Sequence, residues 1–122
     1  NLDEIGSALI QDMDRRGLLE STLVVMMGEM GRAPRINGHA GRDHWPQCGF
    51  ALLFGGGVKE GLVLGSSDKI GAHVNDHPVT PGDIVATMYH LLGVDSEMMV
   101  NDLTGRPIHI AHGGRPIQEI LS

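Results

Sequence analysis

The feature that most constrains the fold is an apolar run followed by a long polar segment. Residues 22–27, TLVVMM, are all apolar or β-branched, and residues 28–46 read GEMGRAPRINGHAGRDHWP. A strand without a polar face is typical of a parallel sheet that is covered on both sides. In such α/β sheets, ligands bind in the loops at the carboxyl ends of the strands. The run therefore predicts a buried inner strand, and the polar segment after it is the expected site.

The flanking patterns predict an α/β chain. Apolar residues at steps of three and four predict a helix over residues 2–16 that buries Leu2, Ile5, Leu9 and Met13, and Gly17 is a suitable stop. Helix followed by strand is half of a βαβ unit, so we expect the earlier strand to lie upstream of this chain. The run FALLF at residues 50–54 predicts a second buried strand, stopped by three glycines.

The second half contains one well-defined element. Thr80 and Asp83 form a capping-box pattern around Pro81, which predicts a helix that ends at Gly93. Weaker patterns predict a brief edge strand at 62–64, an irregular segment at 65–79, a short strand at 106–110 and a final helical turn at 116–121.

Length and charge narrow the class of protein. A chain of 122 residues has the size of one domain, so we expect a single domain over 1–122. The net charge of −6 argues against nonspecific binding to nucleic acid or to an anionic membrane. No apolar run approaches the roughly 20 residues that span a bilayer. The lone Cys48 cannot form an internal disulfide, so the compartment is undetermined.

The polar segment holds the candidate chemistry. Glu29 follows the predicted strand closely, and a carboxylate there can ligate Zn²⁺, Ca²⁺ or Mg²⁺. His44 can ligate Zn²⁺ or act as an acid or base, and Asp43 can ligate the metal or orient a ligating histidine. Arg32 and Arg42 can hold a sulfate or phosphate through the guanidinium fork.

A purely structural interpretation of the same residues stays open. Glu29 can pair with Arg32, three positions further on, and Asp43 can pair with Arg42 or cap a turn. None of the compact metal signatures, such as H-E-x-x-H or paired C-x-x-C, occurs in the chain.

The order of several motifs adds a resemblance. GEMGRAP, AGRDHWP, GGGVKEG, GSSDKIG and the helix DIVATMYHLLGVD occur in this order. The chain resembles the C-terminal portion of a sulfatase-like family of unknown function in the alkaline-phosphatase superfamily. The resemblance implies a mainly parallel sheet with helices packed on both faces, and a chain that is the C-terminal fragment of a larger domain.

The resemblance also implies roles for individual residues. Glu29 matches a metal-ligating carboxylate after a central strand, and His44 matches a later residue at the metal or the anion. Met30 stands where a second ligand is found in the superfamily. The nucleophile and further aspartates are expected in an N-terminal part of the same domain that these residues do not include.

Together these inferences predict metal-dependent hydrolysis of a sulfate or phosphate ester by the complete parent protein. The expected substrate is a small-molecule or carbohydrate ester, with Zn, Ca or Mn as the divalent metal, and this fragment alone is expected to be inactive. Glu29, Asp43 and His44 are the predicted metal ligands, His44 the catalytic group, and Arg32 and Arg42 the substrate-binding groups. One alternative is a non-catalytic binding or surface-associated module, and another is a self-sufficient domain that binds a partner through its sheet edge.

Overall fold

The computed structural model describes residues 1–122 and divides into two compact units, Asn1–Pro78 and Val79–Ser122, which are described separately. The first unit contains α1 (Leu2–Arg15), β1 (Val24–Met27), β2 (Gly31–Arg32), β3 (His44–Trp45), β4 (Ala51–Phe54), β5 (Ser66–Ser67) and β6 (Val74–Asp76). The second contains α2 (Pro81–Leu91), β7 (Met99–Asn101), β8 (Pro107–His109) and a 3₁₀ turn (Gln118–Ile120). The α/β class is confirmed, and the single domain expected over 1–122 remains a prediction.

The strands form four separate two-stranded antiparallel sheets: β1–β4, β2–β3, β5–β6 and β7–β8. The predicted parallel sheet, buried on both faces, is therefore wrong, and no alkaline-phosphatase fold is evident. A parallel neighbour needs a crossover connection. Residues 28–50 instead contain the β2–β3 pair and lead back to β4, so Val24 pairs with Phe54 and Met27 with Ala51. Met27 is 49% exposed, which shows that β1 is not an inner strand.

The helix predicted over residues 2–16 is confirmed as α1, and Gly17 ends it with a φ of +67°. Its buried face differs from the predicted one. Gly6 is the buried residue and lies against the Met26 side chain, whereas Leu2 and Ile5 are 59% and 68% exposed. A Cβ at Gly6 would lie 3.5 Å from Met26 Sδ and Cε, an ordinary van der Waals distance, so Gly6 is buried by its position against Met26 and not because glycine is required there.

The second predicted strand is present as β4, but its predicted burial is wrong, because Leu52 is 38% exposed and Phe50, just before the strand, is 69% exposed. The glycines after β4 form a tight exit. Gly55 has a φ of +68°, and a Cβ there would lie 2.6 Å from the carbonyl oxygen of Leu19. The edge strand predicted at 62–64 is wrong, because the next strand is β5, inside the segment predicted to be irregular. A Cβ at Gly65 would lie 2.9 Å from the carbonyl oxygen of Asp76. The glycine therefore allows the close approach that places β5 beside β6.

In the second unit the capping box that the sequence predicts is present. The Thr80 hydroxyl accepts a hydrogen bond from the Asp83 amide at 3.2 Å, and Asp83 Oδ2 accepts one from the Thr80 amide at 2.8 Å. Asp83 Oδ1 also accepts a bond from the Arg115 amide. The Arg115 amide, and then the Thr80 hydroxyl, hold the pKa of Asp83 below its usual value.

Thr87 continues this connection between α2 and the C-terminal segment. It is fully buried, its hydroxyl donates to the Asp83 carbonyl at 2.7 Å, and it accepts from the Ile117 amide at 3.0 Å. Ile84 and Ala86 supply the buried apolar surface of the helix. The predicted strand at 106–110 and the final helical turn are confirmed as β8 and the 3₁₀ turn. Neither α-helix combines the length and the apolar composition that crossing a lipid bilayer requires.

The Asp83 carboxylate gives a pH-dependent prediction. Asp83→Ala should lower the free energy of unfolding at pH 7 by about 0.5–2 kcal/mol, the range for a lost helix cap. Because the pKa of Asp83 is lowered in the folded state, its contribution is complete above the unfolded value and is lost as the pH falls through the folded one. Urea unfolding at pH 7 and below pH ~4 should therefore show the difference from the wild type shrinking in acid.

The matched control for this measurement is Glu97→Ala. Glu97 is an exposed acidic residue of the same unit whose side chain has no hydrogen-bond partner. A stability difference for Asp83→Ala that stays constant or grows in acid would contradict the assignment.

Candidate functional site

The polar segment after β1 is organised by the β2–β3 hairpin. Gly31 pairs with Trp45, and Arg32 pairs with His44. Gly31 is required here, because a Cβ at this position would lie 1.6 Å from the carbonyl oxygen of Cys48. Side chains of paired residues lie on one face of a sheet, and successive side chains alternate between faces. The hairpin therefore directs His44 and Trp45 to opposite faces.

On the Arg32 face, three charged or titratable side chains come together. Glu29 Oε1 lies 3.2 Å from His44 Nε2 and 3.8 Å from Arg32 Nη2. We call Glu29, Arg32 and His44 the hairpin cluster. The side chains of its members are 62%, 49% and 61% exposed, respectively. Exposed ion pairs contribute about 0–1 kcal/mol to stability. The contacts within the hairpin cluster therefore add little to the stability of the fold. Its polar atoms are accessible to a ligand.

Asp43 lies on the Trp45 face, and its carboxylate forms no hydrogen bond or ion pair with the side chain of Glu29 or His44. Its Oδ1 accepts a hydrogen bond from Asn37 Nδ2 at 2.9 Å, and its carbonyl accepts one from the Ala33 amide. Asn37 Oδ1 in turn accepts the amides of His39 and Gly41, which fixes the tip of the hairpin loop. The structure thus separates Asp43 from the other two predicted metal ligands.

Arg42 has two backbone partners that its sequence context does not indicate. Its Nη1 donates to the carbonyl oxygens of Ala33 at 2.8 Å and Pro34 at 2.5 Å. The predicted pairing with Asp43 is not formed. Of the two predicted anion-binding arginines, Arg32 lies in the hairpin cluster, whereas Arg42 is hydrogen-bonded to the backbone at residues 33–34.

The hairpin cluster offers two protein ligands to a metal ion. In tetrahedral zinc sites, ligand distances of about 2.0–2.2 Å place neighbouring ligand atoms roughly 3.3–3.6 Å apart. The separation of 3.2 Å between Glu29 Oε1 and His44 Nε2 is compatible with such a pair. No group of three or more His, Cys, Asp or Glu side chains that could hold a metal ion is present in residues 1–122. The hairpin cluster therefore brings together two potential ligands, Glu29 and His44.

Two histidines in the segment predicted to be irregular, His73 and His77, have specific partners. The ring of His73 lies 6.1 Å from that of Trp45, at an angle of 59°. His77 Nδ1 lies 2.9 Å from Asp76 Oδ2, and this bond lowers the pKa of the Asp76 carboxyl. Neither histidine joins the hairpin cluster.

Comparison with known proteins identifies the family. Residues 1–121 match the family described as "Protein of unknown function (DUF1501)", and the chain belongs to this family. No curated protein and no solved structure matches the chain.

The resemblance to a sulfatase-like family of the alkaline-phosphatase superfamily is wrong. The match is to DUF1501, and no family of that superfamily is detected. GEMGRAP and AGRDHWP lie in and around the β2–β3 hairpin, and their glycines have local roles. Gly31 permits the approach of Cys48, and Gly41 donates its amide to Asn37. The motifs therefore describe a hairpin rather than a parallel sheet.

The face of the hairpin that carries Trp45 was not predicted from the sequence. A cavity of about 400 Å³ is present there, and its walls include Asp43, Trp45 and His73. The sequence did contain one indication of this face. Successive side chains of a strand point to opposite faces, so a strand at residues 44 and 45 places Asp43 and Trp45 on one face and His44 on the other. That indication was hidden because the segment was expected to be a loop without regular structure.

Gly31 provides a direct test of the hairpin. Gly31→Ala should destabilise the protein by about 1–3 kcal/mol or more, because the added methyl group overlaps the Cys48 carbonyl. Gly38→Ala is the control, since nothing lies within 4 Å of the position of its Cβ. Thermal unfolding of the two variants measures the difference. Equal stabilities would show that the β2–β3 pairing is not formed as described.

Proposed function

We propose that the hairpin cluster binds a sulfate or phosphate ester together with a divalent metal ion, and that the full-length protein hydrolyses the ester there. The observation that carries the proposal is the contact of Glu29 Oε1 with His44 Nε2 at 3.2 Å, with Arg32 beside it. A carboxylate, an imidazole and a guanidinium are suited to a metal ion and an anion at one site. Zinc, calcium and manganese are the candidate ions.

The residues have distinct proposed roles. Glu29 and His44 hold the ion, and Arg32 binds the equatorial oxygens of the ester through its guanidinium fork. A bound ion would supply Lewis-acid stabilisation of the charge that develops on the ester oxygens. Where His44 is not a ligand, its Nε2 is placed to donate a proton to the leaving oxygen. The predictions of Arg42 as a second anion contact and of Asp43 as a third ligand are not tested, and the proposal does not depend on them, because both side chains have other partners in the structure.

The proposal assigns no nucleophile to these 122 residues. We therefore expect the 122-residue chain alone to bind the ester and the ion without turnover. The proposal covers both sulfate and phosphate esters, and the ester can be one of a carbohydrate.

A second candidate function is a non-catalytic binding module. It is favoured by the absence of a group of three metal-ligating side chains in residues 1–122. In this function the hairpin cluster binds an anion but performs no chemistry.

Activity of two variants tests the hydrolytic proposal. In the full-length protein, Glu29→Gln and His44→Ala should each lower kcat/KM for p-nitrophenyl sulfate or phosphate by about 100-fold or more. Zinc affinity, measured by competition with a chromogenic chelator, should fall in parallel. Glu20→Gln and His39→Ala are matched controls, because both positions are exposed and lie outside the cluster.

The outcomes separate the two candidates. Wild-type rates in either cluster variant would refute the hydrolytic site. Binding of zinc and phosphate by the wild-type protein with no hydrolysis of either ester would instead support the binding module.

A further inference from the structure

The geometry points to a second ligand site on the Trp45 face of the hairpin, which takes an acidic pyranose sugar. The site is the cavity of about 400 Å³ beside Trp45, and we call it the Trp45 pocket. Its volume falls within the roughly 300–1,000 Å³ of small-molecule sites. Because Trp45 and His44 lie on opposite faces, the site is independent of the proposed hydrolytic function.

The first element of the pocket is a fixed aromatic surface. Trp45 is the single tryptophan of the chain and is half-buried. Its indole N–H donates to the Ala72 carbonyl at 2.6 Å, so the donor is already used within the protein. The indole therefore offers a ligand only apolar ring surface, in a fixed orientation. The C–H face of a pyranose ring is complementary to such a surface.

The second element is an apolar wall that is exposed to solvent. Ile36 and Ile70 both line the pocket and are 64% and 71% exposed. Exposed apolar side chains around a concave surface with a few polar groups are typical of ligand sites. Together with Trp45, Ile36 and Ile70 form an apolar surface around the position proposed for the pyranose ring.

The third element is a pair of charged side chains with hydrogen-bonding groups that the protein leaves unused. Arg35 lines the pocket, and its guanidinium forms no hydrogen bond or ion pair with the protein. Asp43 also lines the pocket, and only its Oδ1 is occupied, by Asn37. A free guanidinium is suited to a carboxylate or sulfate, and a free carboxylate oxygen accepts a hydroxyl.

These elements select the chemical class of the ligand. The ligand needs a ring with an apolar face, an anionic group for Arg35 and a hydroxyl donor for Asp43. A uronic acid has all three groups, whereas a neutral sugar lacks the anion and a simple aromatic acid lacks the ring hydroxyls. The pocket therefore favours an acidic pyranose over both.

Fluorescence tests the assignment directly, because the single tryptophan lies in the pocket. Methyl β-glucuronide should produce a saturable change in the tryptophan emission of the 122-residue chain. Methyl β-glucoside should bind at least about 10-fold more weakly, since it lacks the charge for Arg35. Arg35→Gln should remove this preference, and Arg16→Gln, which alters an arginine paired with Asp12, should keep it.

The remaining outcomes overturn the proposal. They are the absence of a saturable change with glucuronide, unchanged discrimination in Arg35→Gln with a wild-type circular dichroism spectrum, and tighter binding of phenylacetate than of glucuronide. Asp43→Asn is the second variant, and it should weaken glucuronide binding while it retains the contact with Asn37. Failure here leaves the hydrolytic proposal unaffected, because that proposal depends on Glu29 and His44.

Discussion

The antiparallel pairing of β2 with β3 is the constraint on which both sites depend. It requires Gly31, because the carbonyl oxygen of Cys48 occupies the place of a Cβ. Once Arg32 lies opposite His44, strand geometry decides which side chains meet. Glu29 contacts both of them on one face, and Trp45 lies on the other. A two-residue pairing thus divides a polar segment into two chemically different surfaces.

The elements that sequence patterns predicted well are those with local causes. α1 follows from apolar periodicity and a terminal glycine, and α2 from a capping box whose hydrogen bonds are both formed. The sheet was not predictable in the same way. An apolar run such as residues 22–27 shows that a strand has two apolar faces, but not whether its neighbour runs parallel or what covers it. The antiparallel partner of β1 is fixed by the hairpin between them, which is not a local property.

The candidate site was predictable only in part. The sequence drew attention to Glu29 and His44 through their clustering after a strand, and the structure places their side chains in contact. Asp43 shows the limit of that approach, because neighbours in sequence lie on opposite faces of a strand. The Trp45 pocket depends on Ala72 and His73, more than 25 positions away, and no spacing pattern connects them to the hairpin.

The two faces of one hairpin are proposed to bind different ligands, and a zinc titration followed by two-dimensional NMR of the 122-residue chain distinguishes them. We expect the ring resonances of His44 to shift in proportion to bound zinc, while the indole N–H resonance of Trp45 stays in place. If the His44 resonances do not move, or if the Trp45 indole resonance shifts as far as they do, the separation of the two faces is contradicted.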